Sequence, residues 1–384
     1  MNVASRLAPF GVTIFTEMTD LAVRHGAINL GQGYPDWDGA PFPKEVAVRS
    51  ITGGGADQYP PSAGIPELRE AVADRYRLRL GRPIDPDTEV TITSGCTEAL
   101  AATFLGLVEP GDEVVIIEPF YDAYPVDVAL AGGLARHVTL RPPRFELDLE
   151  ELAAAFSSRT RAVLVNTPHN PTGRVFTRGE MEEISRLCIE FDALAVCDEV
   201  YEEMTYDAEH LSLAAFDDMA ERTITLSSVG KTFSLTGWKV GWAIAPPSLT
   251  SGIRAAHQYL TFTTPTPVQH GTAAALAAPE SFYVDLRQSY RQRRDMLARG
   301  LAEIGFEVYR PQGTYFMMAG YSAFSDADDR TFARWLTETT KVAAIPPGAF
   351  YHRAADGSGL VRFAFCKELD TLAAALDRLG ALRR

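Results

Sequence analysis

The sequence predicts an α/β fold: a mostly parallel central sheet in a large domain, joined to a smaller α+β domain. Three observations carry this. Short apolar runs such as DEVVIIEP (112–119), RAVLVNTP (161–168) and ALAVCDEV (193–200) read as strands buried on both faces. Helix-patterned stretches separate them, the alternation of a parallel sheet covered on both sides. After a long amphipathic stretch at 280–305 the pattern changes to short strands interleaved with two helices.

In chain order, the first 40 residues run into the Gly- and Pro-rich NLGQGYPDWDGAP, an arm expected to pack on a neighbour or on the small domain. TEVTITSG (88–95) reads as a strand. CTEALAATFLGLV (96–108) has helical apolar spacing and stops at the turn Glu109-Pro110-Gly111-Asp112. Strand 112–119 leads to a helix ending at Gly132-Gly133, and strand 161–168 leads to the amphipathic helix RGEMEEISRLCIEFD (178–192). Strands follow at 193–200, 222–230 and 238–246. Beyond the long helix, VYRPQGTYFMMAG, VAAIPPGAF and LVRFAFC read as strands. The division is therefore 1–40 as arm and part of the small domain, 41–279 as the large domain, and 280–384 as the C-terminal small domain.

The chain has 36 basic and 50 acidic residues, a net charge of -14. That opposes general binding to nucleic acid or anionic membranes, which needs a positive footprint. Cys96, Cys188, Cys197 and Cys366 are scattered, with no paired spacing for zinc or a disulfide framework. No apolar run reaches membrane-spanning length and no signal-peptide pattern opens the chain, so a cytoplasmic protein is expected. Only five of the basic residues are lysines, namely Lys44, Lys231, Lys239, Lys341 and Lys367. Arginine cannot form a Schiff base and a lysine amine can, so Lys231 and Lys239, close together in SSVGKTFSLTGWKVGW, point to chemistry.

Ligands collect at the carboxyl ends of parallel strands. The turn after Thr93, the turn after Val165, Asp198 and the segment Ser228 to Lys231 all fall there. HNPTG (169–173), DEVY (198–201), SxxxK (227–231) and VRF (361–363), in that order, resemble the fold-type I pyridoxal 5'-phosphate (PLP) aminotransferases, and the resemblance runs from residue 29 to residue 367. It implies a PLP-dependent transferase fold of type I and a role in amino-acid metabolism.

The resemblance also implies roles. Lys231 holds PLP as a Schiff base and, once displaced, carries the proton between substrate and cofactor. Asp198 pairs with the ring nitrogen, and Tyr201 and Asn170 hydrogen-bond the phenolic oxygen. The N–H groups of Cys96 and Thr97 at a helix start, with Ser228 and Lys239, hold the phosphate. Tyr59 reaches it from the partner subunit of a homodimer, and Tyr121 stacks on the ring. Arg362 clamps the substrate carboxylate, approached also by the Gly33 backbone. Phe15, Phe262, Thr263 and Phe350 line the side-chain pocket. A lone Asp at a strand end is more often structural, SGCTEAL is also an ordinary capped helix, and any of the aromatics could be core.

Within the family the chain is similar to kynurenine/glutamine and methionine aminotransferases and to actinobacterial N-succinyldiaminopimelate aminotransferases. Thr97 and Thr263 stand where the kynurenine-type pattern has Tyr and His, which leaves room for a larger or more polar substrate. Transfer of an α-amino group to an α-keto acid is the expected reaction. A C–S β-lyase or a decarboxylating enzyme would use the same residues. A regulator with a DNA-binding extension is disfavoured by the charge and by family-like sequence within the first 15 residues. No metal is expected.

Overall fold

The computed structural model describes residues 3–382. Helix α1 (Ile14–His25) is capped by the Thr13 hydroxyl, which accepts from the Thr16 N–H, and Gly26 ends it in the left-handed region. Strand β1 (Ile28–Asn29), α2 (Pro41–Thr52) and α3 (Pro66–Tyr76) follow, the last two starting on proline. Then come β2 (Val90–Thr93), α4 (Gly95–Leu107), β3 (Glu113–Glu118), α5 (Ala123–Leu130), β4 (Leu134–Thr139), α6 (Leu149–Ala155), β5 (Thr160–Asn166), α7 (Arg178–Glu190) and β6 (Leu194–Asp198). A capping box at Thr177 and Glu180 starts α7. The series closes with β7 (Thr223–Ser228), the single turn α8 (Val229–Thr232), β8 (Gly241–Ile244), α9 (Pro247–Leu260) and α10 (Thr266–Leu276).

Seven of these strands form one sheet in the order β2-β8-β7-β6-β5-β3-β4. All run parallel except β8, which is antiparallel to both neighbours. Because β8 runs backwards, its first residue, Gly241, lies beside Thr93 and Ser228 at the ends of β2 and β7. Residues just before β8 therefore reach the same edge as residues just after its neighbours.

The rest of the chain is α11 (Glu280–Ile304), β9 (Glu307–Tyr309), β10 (Phe316–Gly320), α12 (Asp329–Thr340), β11 (Val342–Ala343), β12 (Leu360–Ala364) and α13 (Leu369–Leu379). Strands β12, β10 and β9 make a small antiparallel sheet, and β1 pairs in parallel with β11. The N-terminal segment packs on this C-terminal part of its own chain, with α1 against α12. One buried cluster runs from Leu100, Ile116 and Val196 to Phe316, Val361 and Phe363, so both sheets share a core.

Three strand expectations need correction. In 238–246 only Gly241–Ile244 is strand, because Thr236–Trp238 is a 3-10 turn and Lys239 has φ 53°. In 342–350 the strand stops at Ala343, and Pro347–Phe350 is a 3-10 turn in which proline lacks the N–H a ladder needs. The segment VYRPQGTYFMMAG is two strands, not one, since Gly313 and Thr314 turn the chain.

Helices α4 and α9 cross where glycines meet. A Cβ on Gly106 would lie 2.3 Å from the Gly252 carbonyl oxygen, and backbone cannot yield as a side chain does. Gly106→Ala should therefore destabilise the protein by about 1–3 kcal/mol through overpacking, despite alanine's better helix propensity. A lowered denaturant midpoint would read this; an unchanged or raised one would show that the crossing has slack.

Candidate active site

The carboxyl ends of β5, β6 and β7 open onto a cavity whose lining includes Asn166, Asp198, Tyr201, Ser228 and Lys231. Asp198, the last residue of β6, is buried. Its Oδ2 accepts from the Tyr124 hydroxyl at 2.7 Å and its Oδ1 from the Val200 N–H at 3.3 Å. The Cys96 thiol also donates to it. Burial raises its pKa, and the hydrogen bonds and the nearby Lys231 charge offset part of the shift. An N–H cation entering beside it would favour the carboxylate.

Asn166 ends β5 next to Asp198. Its Nδ2 donates to the Asp198 carbonyl at 2.9 Å, and its Oδ1 accepts from the Asn170 N–H at 2.7 Å. Lys231 sits on α8, directly after β7, with Nζ 5.7 Å from the centre of the Tyr201 ring. Burial pulls the Lys231 pKa below the ordinary lysine value, against the opposing pull of Asp198. A larger share of its amine is therefore neutral, the form that attacks carbonyl carbon. Tyr121 lines the cavity and meets Tyr124 edge-on at 5.7 Å.

At one end of the cavity is a cup suited to an anion. Gly95 has φ 80°, which turns the chain from β2 into α4 and presents the first-turn N–H groups of Cys96 and Thr97. The antiparallel β8 brings Lys239 opposite, with Nζ 3.3 Å from the Thr97 hydroxyl. A Cβ on Gly241 would lie 2.6 Å from the Cys96 nitrogen, so the strand passes this turn only as glycine. Ser228, paired with Gly241 at the end of β7, also lines the cavity.

Arg362, on β12, is buried at 1% exposure. Its Nη1 donates to Asn170 Oδ1 at 3.1 Å and its Nη2 to the Gly31 carbonyl at 2.9 Å. Nε has no partner. The guanidinium is boxed by Phe316 at 4.0 Å, Phe350 at 5.1 Å and Phe15 at 5.3 Å. Burial lowers its pKa to about 10, which leaves it charged at neutral pH. A buried cation contacting two neutral oxygens, with its Nε–H free, is suited to a carboxylate.

Gly31 makes the backbone hydrogen bond to Arg362, and Gly33 packs beside it on Phe316. A Cβ on Gly33 would lie 2.5 Å from Phe316 Cζ, and its carbonyl accepts from the Tyr315 hydroxyl. Tyr59 is 82% exposed, with Phe262 edge-on to it at 5.3 Å and the Thr263 hydroxyl donating to the Pro61 carbonyl. These three form an outer patch and line no part of their own chain's cavity. The sequence reading overlooked Tyr124, Asn166, Gly31 and Phe316. Asn166 carried a signal, a polar residue closing an apolar strand at the ligand-binding edge; the partners of Tyr124 and Phe316 come from remote segments.

The family described as aminotransferase class I and II matches residues 25–379. The probable N-succinyldiaminopimelate aminotransferase of Mycobacterium tuberculosis is 48% identical, over 98% of either chain. The methionine aminotransferase of Escherichia coli is 42% identical, also over 98% of each. Among solved structures, an N-succinyldiaminopimelate aminotransferase from Mycobacterium tuberculosis superposes with TM-score 0.96 at 48% identity, covering 99% of this chain and 100% of that one. A Thermus thermophilus aspartate aminotransferase mutant superposes at 0.92 with 32% identity, over 100% of both chains.

Removing the Tyr124 hydroxyl leaves Asp198 Oδ2 without that donor in a buried setting. Tyr124→Phe should cost about 1–3 kcal/mol of stability in the cofactor-free protein. Denaturant titration would check this; an unchanged midpoint would mean that another donor takes over.

Proposed function

Since the chain belongs to the class I and II aminotransferases, we propose that it moves the α-amino group of an amino acid to an α-keto acid, using PLP held around Lys231. The observation that carries this reading is one cavity joining the half-buried Lys231 amine, the buried Asp198 carboxyl and an anion cup, with Arg362 tied to it through Asn170. These residues fit PLP: the cup suits its phosphate, Asp198 its ring nitrogen, and Tyr121 a flat ring face. When bound, the cofactor supplies an electron sink for charge developing at the substrate Cα.

The chain's residues then divide the work. Lys231 Nζ would hold the cofactor at its aldehyde carbon, water leaving as the amine condenses, and when free would hold the proton leaving the substrate Cα. Asp198 keeps the ring nitrogen protonated, with Tyr124, Cys96 and the Val200 N–H orienting its oxygens. Asn170, whose Oδ1 is taken by Arg362, has its Nδ2 to donate to the phenolic oxygen together with Tyr201. Cys96, Thr97, Ser228 and Lys239 bind the phosphate. Arg362 orients the amino acid by its carboxylate, while Phe15, Phe316 and Phe350 exclude water from that contact.

On this reading residues 41–279 form the cofactor-binding domain, and 1–40 with 280–384 form the small domain that carries Arg362. The exposed cluster of Tyr59, Phe262 and Thr263 supports a homodimer in which it completes the partner's site. Phe262 and Thr263 would then meet the substrate side chain across the interface. Thr97 and Thr263 favour a substrate with a polar side chain, in keeping with the name of the N-succinyldiaminopimelate relative rather than that of the methionine aminotransferase. Four cysteines, all free and buried, support a reducing, cytoplasmic setting. No helix among the described residues is long and apolar enough to cross a membrane.

Borohydride reduction of the cofactor-loaded protein should fix the label on Lys231, and peptide mapping to another lysine would overturn that role. Lys231→Ala should abolish turnover while PLP still binds through its phosphate. Arg362→Ala should raise KM for amino acids about a hundredfold with a smaller effect on phosphate binding. An unchanged KM would mean that the carboxylate lies elsewhere. Product analysis with a panel of amino acids, with and without an α-keto acid, tests the reaction. Keto-acid formation that depends on the acceptor is expected. Pyruvate with a thiol, or carbon dioxide, formed without acceptor would establish a lyase or decarboxylase instead.

A further inference from the structure

Beneath the anion cup lies a buried histidine–glutamate contact that the roles above do not use. His257, on α9, has no exposed surface, and its Nδ1 lies 2.6 Å from Glu98 Oε1. Its Nε2 lies 2.8 Å from the Ser62 carbonyl oxygen. A carbonyl only accepts, and a carboxylate accepts at both oxygens when ionised. A neutral imidazole carries one N–H and can satisfy one of these contacts; an imidazolium satisfies both. The other carboxylate oxygen of Glu98 accepts the Ser94 N–H at 2.6 Å, at the turn that forms the cup.

Two segments thus meet at one imidazole. Through Glu98 it braces the turn 94–97. Through Ser62 it braces the segment after Tyr59, which is held also by Thr263 on Pro61, by the Ile92 N–H on the Ala63 carbonyl, by Arg69 on the Gly64 carbonyl and by the Gln269 side chain on the Ile65 N–H. Glu98 also stands in the first turn of α4, where an uncompensated carboxylate would repel a phosphate in the cup. We propose that His257 is a positioning residue, held as an imidazolium between Glu98 and the Ser62 carbonyl, that both braces the phosphate turn and cancels the Glu98 charge beside it. This rests on the cofactor reading given above.

The charged groups around His257 are few. Glu98 faces it from α4, and Arg254 stands one turn earlier on α9. Arg254 is itself turned to the Thr91 hydroxyl and the Asp87 and Val90 carbonyls, with Asp85, Asp87 and Arg69 beyond it. The Thr261 hydroxyl lies 3.4 Å from Nδ1. Burial opposes the His257 charge, but Glu98, by hydrogen bond and by charge, and the Ser62 carbonyl outweigh it and raise the pKa. A raised histidine pKa gives a contribution that is complete below the ordinary value of about 6.5 and is lost as pH rises through the folded value. The phosphate should therefore be held less firmly in alkaline solution.

Glu98→Gln provides the decisive variant. Its amide oxygen still accepts from the Ser94 N–H, and its amide N–H donates to a neutral His257 that keeps its other proton for Ser62. The brace survives without charge. The probe is pyridoxamine 5'-phosphate, which has no aldehyde to bond Lys231, compared with pyridoxamine, which lacks the phosphate. Binding is measured from about pH 6 to about pH 9 on wild type, Glu98→Gln and His257→Gln. His257→Gln should weaken the phosphorylated probe about tenfold at neutral pH, the scale of one charge-assisted hydrogen bond, and leave pyridoxamine unchanged. Wild type should fall toward His257→Gln as pH rises, and Glu98→Gln should not.

Nitrogen-15 spectra should show both ring nitrogens of wild-type His257 protonated at neutral pH, the resonance being assigned by its loss in His257→Gln. A single neutral tautomer there, or equal affinity of wild type and His257→Gln for the phosphorylated probe, would overturn the proposal. If wild type binds both probes equally, the cofactor reading fails and takes this role with it. The two failures are thus told apart.

Discussion

Backbone pairing across the central sheet sets Asn166 beside Asp198 and Asp198 beside Leu226, so β5 and β6 stop at one level and β7 runs two residues further, to Ser228. Side chains that would be scattered by sequence are thereby brought to one rim. The reversed strand β8 extends the principle, because it starts where the others end and delivers Lys239 to the same place. Had β8 been parallel, the residues before it would lie at the far edge of the sheet. The cavity depends on this register more than on any single contact inside it.

The site also concentrates ionisable groups in surroundings that disfavour charge. Burial pushes the Asp198 carboxyl up and pulls the Lys231 amine and the Arg362 guanidinium down. Such opposed shifts in one cleft are unfavourable in an empty protein and useful around an anionic, aromatic ligand. The same logic separates two arginine settings. Arg186 on α7 is solvated between Glu183 and Glu190, whereas Arg362 is walled by three phenylalanines and keeps its Nε–H unmatched. The first setting serves solubility; the second awaits a partner.

Much of this was legible in the sequence for physical reasons. Strands buried on both faces are continuously apolar, so β3, β5 and β6 stand out, and polar residues at their ends mark the ligand edge. The scarcity of lysine made Lys231 conspicuous. Other features were hidden because they depend on distant pairing. Nothing near Gly31 announces that its carbonyl meets Arg362, 331 positions later. Nothing in VAAIPPGAF says that its strand stops after two residues in order to join β1. The pairing of His257 with Glu98 and Ser62 is likewise a product of how α4 and α9 cross.

The pairing of β1 with β11 has a consequence in time. Residues 28–29 cannot find 342–343 until nearly the whole chain has been made, and closing so long a loop is slow relative to local contacts. The central sheet, contained within 90–244, can assemble earlier as the chain emerges from the ribosome. The aromatic box around Arg362 draws Phe15 from one end of the chain and Phe316 and Phe350 from the other. During synthesis the rim that gathers Asp198 and Lys231 would thus exist before the pocket that chooses among amino acids.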